Sequence, residues 1–200
     1  MRAWIVGRPG PVSDGPLQLV ERPDPEPAAR EVRVRVEACG VCRTDLHLAE
    51  GDLAPRRPAT VPGHEVVGRV DAVGPQCRRL AVGDRVGIAW LRWTCGSCRW
   101  CRSGRENLCP SAAFTGWDAD GGFADLAVVD EGYAYRIPES LPAAEAAPLL
   151  CSGIVGYRAL QRADCPPGGR LGLYGFGASA HLVAQVAIRQ GTQEIGRAHV

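Results

Sequence analysis

The sequence predicts a mixed fold of the α+β and α/β classes. A β-rich domain covers residues 1–140, and the first strand and helix of an α/β nucleotide-binding unit follow it. Three observations lead there. Glu31-Val-Arg-Val-Arg-Val-Glu37 alternates strictly, the mark of a half-buried strand. The 25 glycines and 16 prolines among 200 residues favour short strands and turns over long helices. After Pro138 the texture changes to helical runs, ending in a strand, a glycine turn and an apolar-faced helix.

Taken in order, further strands are expected at Val66–Val70, Arg85–Ile88 and Phe123–Val129. The turn pairs Pro62-Gly63, Gly83-Asp84 and Gly121-Gly122 separate them, and the proline-rich stretches 23–27 and 55–62 read as surface loops. Leu141-Pro142 opens a helix with proline near its first turn. A second helix suits Gly153–Ala163 and is stopped by Pro166-Pro167-Gly168-Gly169. Arg170–Tyr174 then reads as a buried strand, Gly175-Phe176-Gly177 as a tight turn and Ala178–Gln190 as a helix, the first half of a βαβ unit.

Composition excludes several functions. Hydrophobic residues make up 46% and charged residues 22%, ordinary values for a globular protein, and the net charge of +1 gives nucleic acid or a membrane surface no electrostatic hold. No run approaches the roughly 18–20 apolar residues that span a bilayer, and the N-terminus lacks a secretory pattern. Nine cysteines in such a chain read as reduced thiols that ligate metal, in a cytoplasmic protein.

Cys95-Gly-Ser-Cys98-Arg-Trp-Cys101, with Cys109 after seven more residues, is the most specific motif. Four thiolates satisfy tetrahedral zinc and leave no open position, so this lobe (95–109) is expected to be structural. Arg99, Arg102 and Arg105 lie within it to offset its negative charge. The run Cys39-Gly-Val-Cys42-Arg43-Thr44-Asp45-Leu-His47 gathers thiols, a hydroxyl, a carboxylate and an imidazole. With His64 and Cys151 it offers the three ligands a catalytic zinc needs besides a vacant position. Spacing alone leaves the alternative open, in which the cysteine packs and Gly63-His64-Glu65 is an ordinary turn. Gly175-Phe-Gly177-Ala-Ser-Ala180, between strand and helix, has the context of a pyrophosphate-binding turn. Cys39, Cys77 and Cys165 read as packing thiols, and His181 as a structural helix residue.

In combination and in this order, the Gly40–His47 run, Gly63-His64-Glu65, the four-cysteine lobe and Leu149-Leu-Cys151 resemble the zinc-dependent alcohol dehydrogenases of the medium-chain dehydrogenase/reductase superfamily. The resemblance runs from about residue 1 to 191. It implies a GroES-like catalytic domain followed by a Rossmann domain, and two zinc ions per chain. It assigns Cys42, not Cys39, together with His64 and Cys151 to the catalytic zinc, and Cys95, Cys98, Cys101 and Cys109 to the structural one. Asp45 matches an acid that orients the histidine ligand, and Glu65 the acid behind the metal. Thr44 and His47 match a proton relay, and Arg43 a contact to the cofactor pyrophosphate. Gly175, Gly177 and Ala180 match the cofactor turn, and Trp90 and Leu53 the alcohol pocket. The implied reaction is hydride transfer between a primary or secondary alcohol and NAD, with NADP not excluded, through a zinc-bound alkoxide. A polyol or formaldehyde dehydrogenase, or a zinc-stabilised binding module without catalysis, are the competing expectations.

The family continues for more than a hundred further residues, and its full-length members are expected to be homo-oligomers. Thr192–Val200 shows no strand pattern where a βαβ unit needs its next strand, and residues 194–200 match the translation of a sequencing adapter. The chain is therefore expected to be a truncated form with a non-native tail at 194–200, and nothing functional is read from Glu194 or His199. Residues 141–193 are expected to hold the connecting helices and the start of the Rossmann domain, and because a lone βα half-unit cannot cover its apolar face, a sticky, partly disordered C-terminal region is expected.

Overall fold

In the computed structural model, residues 1–198 are described, with side chains through residue 193. The chain divides into two compact units, Met1–Ala147 and Pro148–Val200. The first holds strands β1 (Arg2–Val6), β2 (Leu17–Glu21) and β3 (Glu31–Cys39), helix α1 (Arg43–Glu50), then β4 (Val66–Val73), β5 (Arg85–Ile88) and β6 (Leu91–Trp93). It continues with β7 (Ala113–Phe114), β8 (Leu126–Asp130), β9 (Ala134–Arg136) and the short α2 (Ala143–Ala146). The second holds α3 (Ser152–Ala163), β10 (Arg170–Tyr174), α4 (Ala178–Arg189) and β11 (Gln193–Ala198).

The centre of the first unit is a five-stranded sheet in the order β8-β3-β4-β5-β9, antiparallel at every pairing. Alternation in β3 sends Val32 and Val34 into a core with Val66, Val70, Val86, Ile88 and Val129. Arg33 and Arg35 point the other way and both pair with Asp71, at 2.8 and 3.0 Å. The valine-rich composition suits this pleated, buried surface, since branched side chains are already stiff at χ1. The predicted strands at β3, β4, β5 and β8 are present. β8 starts three residues later than expected because Phe123 N bonds to Pro62 O instead of entering the ladder. The four-cysteine lobe is an excursion between the paired strands β6 and β7.

The β3–β4 register positions the first site. Cys39 stands opposite Val66, and just beyond the ladder Gly40 N donates to Glu65 O at 3.0 Å. The segment after β3 therefore runs beside the segment before β4, which brings the residues around Cys42 alongside those around His64. A side chain at Gly40 would collide with the Glu65 carboxylate.

In the second unit, Leu160 of α3 and Val183 and Ala187 of α4 form a small core with Leu171 and Leu173 of β10. β11 pairs in parallel with β10, with Arg170 opposite Gln193 and Tyr174 opposite Ala198. This corrects the expectation that no strand follows Thr192 and that a lone half-unit is left partly disordered. Parallel pairing is made by backbone groups, so a polar segment such as 193–198 joins the sheet without showing the usual apolar alternation. The proposed non-native character of 194–200 concerns side chains outside the described residues.

One buried carboxylate anchors a loop of the first unit. Glu131 is 4% exposed, and its oxygens accept from Arg78 N and Arg79 N at 2.8–3.0 Å. The backbone N–H of Arg79, joined by those of Arg78 and Leu80, holds the Glu131 pKa below its ordinary 4.5 against the opposing effect of burial. A depressed folded pKa contributes stability that is fully present above about pH 4.5 and is lost as pH falls through the folded value. Glu131→Ala is expected to cost about 1–3 kcal/mol by denaturant unfolding at pH 7. Glu131→Gln is expected to flatten the loss of stability below that pH.

Candidate metal centre and its surroundings

The four cysteines of the lobe converge. Sγ of Cys95 lies 3.9 Å from that of Cys101 and 3.6 Å from that of Cys109, and the Cys98–Cys101 separation is 3.5 Å. A tetrahedron with bonds of about 2.3 Å has edges of about 3.8 Å, so these spacings fit a zinc ion. They are far beyond a disulfide's length of about 2.05 Å, and none of the nine cysteines forms a disulfide. Backbone N–H groups of Ser97 and Cys98 pull the Cys95 thiol down to about 6, toward the thiolate a metal needs. Two guanidinium groups lie over the Trp100 ring, Arg99 at 4.4 Å and Arg105 at 5.4 Å from its centroid.

The second cluster is built at the start of α1. Cys42 is the helix N-cap, in extended conformation, and Asp45 sits three residues on. Oδ2 of Asp45 accepts from Cys42 N at 2.8 Å, one of the helix's otherwise orphaned donors. Its other oxygen, Oδ1, accepts from Gly63 N at 3.0 Å and lies 3.4 Å from Nδ1 of His64. Gly63 has φ +95°, a left-handed conformation in which a Cβ would also strike Phe123 and the Cys39 sulfur. Both Asp45 and His64 are buried. One carboxylate thus caps the helix bearing Cys42, holds the turn bearing His64 and faces the imidazole, leaving Nε2 as its outward ligand atom. Donor atoms of Cys42, His64 and Glu65 all lie within 4.8 Å of one another.

The other residues singled out by sequence fall around this cluster or apart from it. Thr44 Oγ1 is 3.8 Å from the Cys42 sulfur. His47, three residues further on α1, places Nδ1 3.0 Å from Asp52 and is partly exposed. Arg43 is exposed at the first position of α1. Leu53 N donates to His47 O at 2.9 Å, which ties its loop to the helix. Cys39 belongs to neither thiol cluster among the described residues, and burial pushes its thiol up to about 12. Cys77 bonds to Glu31 O at 3.3 Å. In the second unit Cys151 is the N-cap of α3 and half-buried. Gly177 is the N-cap of α4 and has no side chain to cap its first-turn donors, and a Cβ at Gly175 or Gly177 would meet no atom within 4 Å. That open backbone at a helix start suits a pyrophosphate. His181 packs its ring edge-on against Phe176 at 5.8 Å, in keeping with a structural role.

Sequence reasoning missed the aromatic surroundings of His64. Trp90 meets the imidazole edge-on at 5.0 Å and stacks on Phe114 and Trp117 at 5.0 and 6.0 Å. Trp90 alone had been singled out. The signal for the others was the pairing of flanking strands, which the lobe between them obscures.

If the Asp45 carboxylate sets the imidazole, Asp45→Ala is expected to weaken metal binding at Cys42 and His64 by about 10–100-fold. Chelator competition on the zinc-loaded protein measures this, and metal held by the lobe cysteines should be unaffected.

The chain is 57% identical over 198 residues to a protein of Mycobacterium tuberculosis named a probable alcohol dehydrogenase, covering 96% of this chain and 57% of that one. A thermostable alcohol dehydrogenase from Pyrobaculum aerophilum, solved with cobalt and zinc bound, superposes with a TM-score of 0.89 at 29% identity, covering 97% of this chain and 58% of that one. A zinc-binding dehydrogenase from Sinorhizobium meliloti bound to NADP gives 0.81 at 31% identity, covering 96% and 54%. The chain thus spans little more than half the length of these relatives. The profile of the alcohol dehydrogenase GroES-like domain matches residues 28–139, more than half of the chain, and the chain belongs to that family.

Proposed function

We propose that this chain is the catalytic part of a zinc-dependent, NAD(P)-dependent alcohol dehydrogenase that interconverts primary or secondary alcohols and their carbonyl products. The observation that carries the reading is the Asp45-centred cluster, which gathers Cys42, His64 and Glu65 beside an aromatic surface.

Cys42 and His64 are the first two ligands of the catalytic zinc, and Cys151 at the N-cap of α3 is the third. Soft sulfur and imidazole donors suit zinc over magnesium or calcium. The four lobe thiolates hold the second, structural zinc. When bound, zinc would supply a Lewis acid that lowers the pKa of a hydroxyl toward neutrality, and a nicotinamide would accept the hydride. The protein's own residues do the rest. Asp45 fixes the His64 tautomer and ring orientation. Thr44, two residues past the N-cap and next to the Cys42 sulfur, accepts the alcohol proton at Oγ1 as it releases its own hydroxyl proton toward His47. His47 follows at three residues' spacing on the same helix face, so the proton passes along α1 to a partly exposed imidazole. Glu65 is the acid behind the metal. Arg43 and the Gly175-Phe-Gly177-Ala-Ser-Ala180 turn bind the cofactor pyrophosphate, and Trp90 and Leu53 bound the alcohol.

Nicotinamide absorbance followed with ethanol or butanol tests the activity. The 200-residue chain is expected to bind zinc without competent turnover, so the assay uses the full-length protein; a full-length, zinc-loaded enzyme with two metals per chain that catalyses no cofactor-dependent oxidation would overturn the proposal. Thr44→Val is expected to lower kcat by about 100-fold or more while zinc content stays unchanged; normal turnover in that variant would remove Thr44 from the relay.

A further inference from the structure

The aromatic surface beside His64 has a defined geometry. Trp90 lies nearly parallel to Phe114 (5.0 Å, 20°) and to Trp117 (6.0 Å, 13°), and Phe114 and Trp117 are 5.9 Å apart at 28°. Parallel rings in contact are separated by about 3.5 Å, so two rings on opposite faces of Trp90 would stand about 7 Å apart or more. At 5.9 Å, Phe114 and Trp117 do not flank Trp90 on opposite faces, so at least one indole face carries neither ring. That face lies outside this stack, on a residue whose ring also meets the His64 imidazole.

What holds the stack is the loop after α1. The Arg56 guanidinium lies 3.6 Å from the Trp117 ring centroid, and its Nη1 donates to Asp118 Oδ1 at 2.7 Å. Trp117 Nε1 donates to Ala54 O at 2.9 Å. Oδ2 of Asp118 accepts from Phe114 N at 2.8 Å, so the same carboxylate fixes the backbone that carries the stacked phenyl ring. An ion pair this exposed contributes little alone. Here the planar guanidinium also covers an indole face, which lysine cannot reproduce. The loop's near end is tied to α1 through Leu53 N and His47 O.

We infer that Arg56 is a positioning residue for substrate choice: it clamps Trp117 beneath Trp90, presenting the outer indole face as a flat wall that favours alcohols bearing a flat aromatic group. This rests on the alcohol dehydrogenase reading above. The wall gains stacking energy from a benzyl-type ring and little from a two-carbon chain, so a loosened wall costs the aromatic substrate more than the small one.

The test compares the full-length, zinc-loaded wild type with its Arg56→Ala and Arg56→Lys variants, using benzyl alcohol and ethanol. Arg56→Ala is expected to lower the benzyl-to-ethanol ratio of kcat/KM by about three- to tenfold, through KM for benzyl alcohol, with ethanol turnover little changed. Arg56→Lys should recover less than half of the loss. An unchanged ratio, an equal fall for both alcohols, or full rescue by lysine would overturn the proposal. Tryptophan emission titrated with benzyl alcohol without cofactor supplies a second readout. If wild type oxidises no alcohol, the dehydrogenase reading fails and the clamp is judged by this titration alone. Weaker binding in Arg56→Ala supports it, and equal or absent binding in both proteins overturns it.

Discussion

The carboxylate of Asp45 is the contact on which the first unit's chemistry depends. It is buried, and a buried charge is costly unless its lone pairs are satisfied. Two backbone donors from different segments, Cys42 N and Gly63 N, satisfy it, and the His64 imidazole faces the same oxygen as Gly63. That arrangement makes a helix start and a glycine turn into one rigid piece. The sheet supplies the approach, since the β3–β4 register has already brought Gly40 against Glu65. Strand pairing sets the distance between the two segments, and the carboxylate sets their orientation.

The two thiol clusters solve different problems. The lobe cysteines are local, held by a short excursion between β6 and β7, and their mutual spacing already fits a closed tetrahedron. Cys42 and His64 come from segments 22 residues apart and rely on buried hydrogen bonds for their geometry. Cys39, only three residues from Cys42, shows how strongly local environment decides a thiol's use. Burial keeps it protonated, whereas Cys42 stands at the N-cap of α1 within reach of His64 and Glu65.

How much of this was legible in the sequence follows the same division. Strict alternation revealed β3, and the cysteine spacing revealed the lobe, because both signals are local. The helix Arg43–Glu50 was not foreseen as a helix: Thr44, Asp45 and His47 are middling helix formers, and its cap is a cysteine. Strand Gln193–Ala198 lacks the apolar pattern that marks a strand, since its pairing is made by backbone alone. The Trp90–Phe114–Trp117 stack and its Arg56 clamp join four segments with no common period, so only pairing across β6 and β7 discloses them. The roles of Asp45, Thr44 and His47 came from family resemblance, and the fold adds a physical reason for the first of them.

Anomalous diffraction at the zinc edge, on crystals of the zinc-loaded protein, tests the central claim most directly. The account predicts two peaks per chain. One lies among the four lobe sulfurs, and the other lies about 2.3 Å from the Cys42 sulfur and about 2.0–2.1 Å from Nε2 of His64. A single peak in the lobe, with Cys42 and His64 bound to no metal, would contradict it.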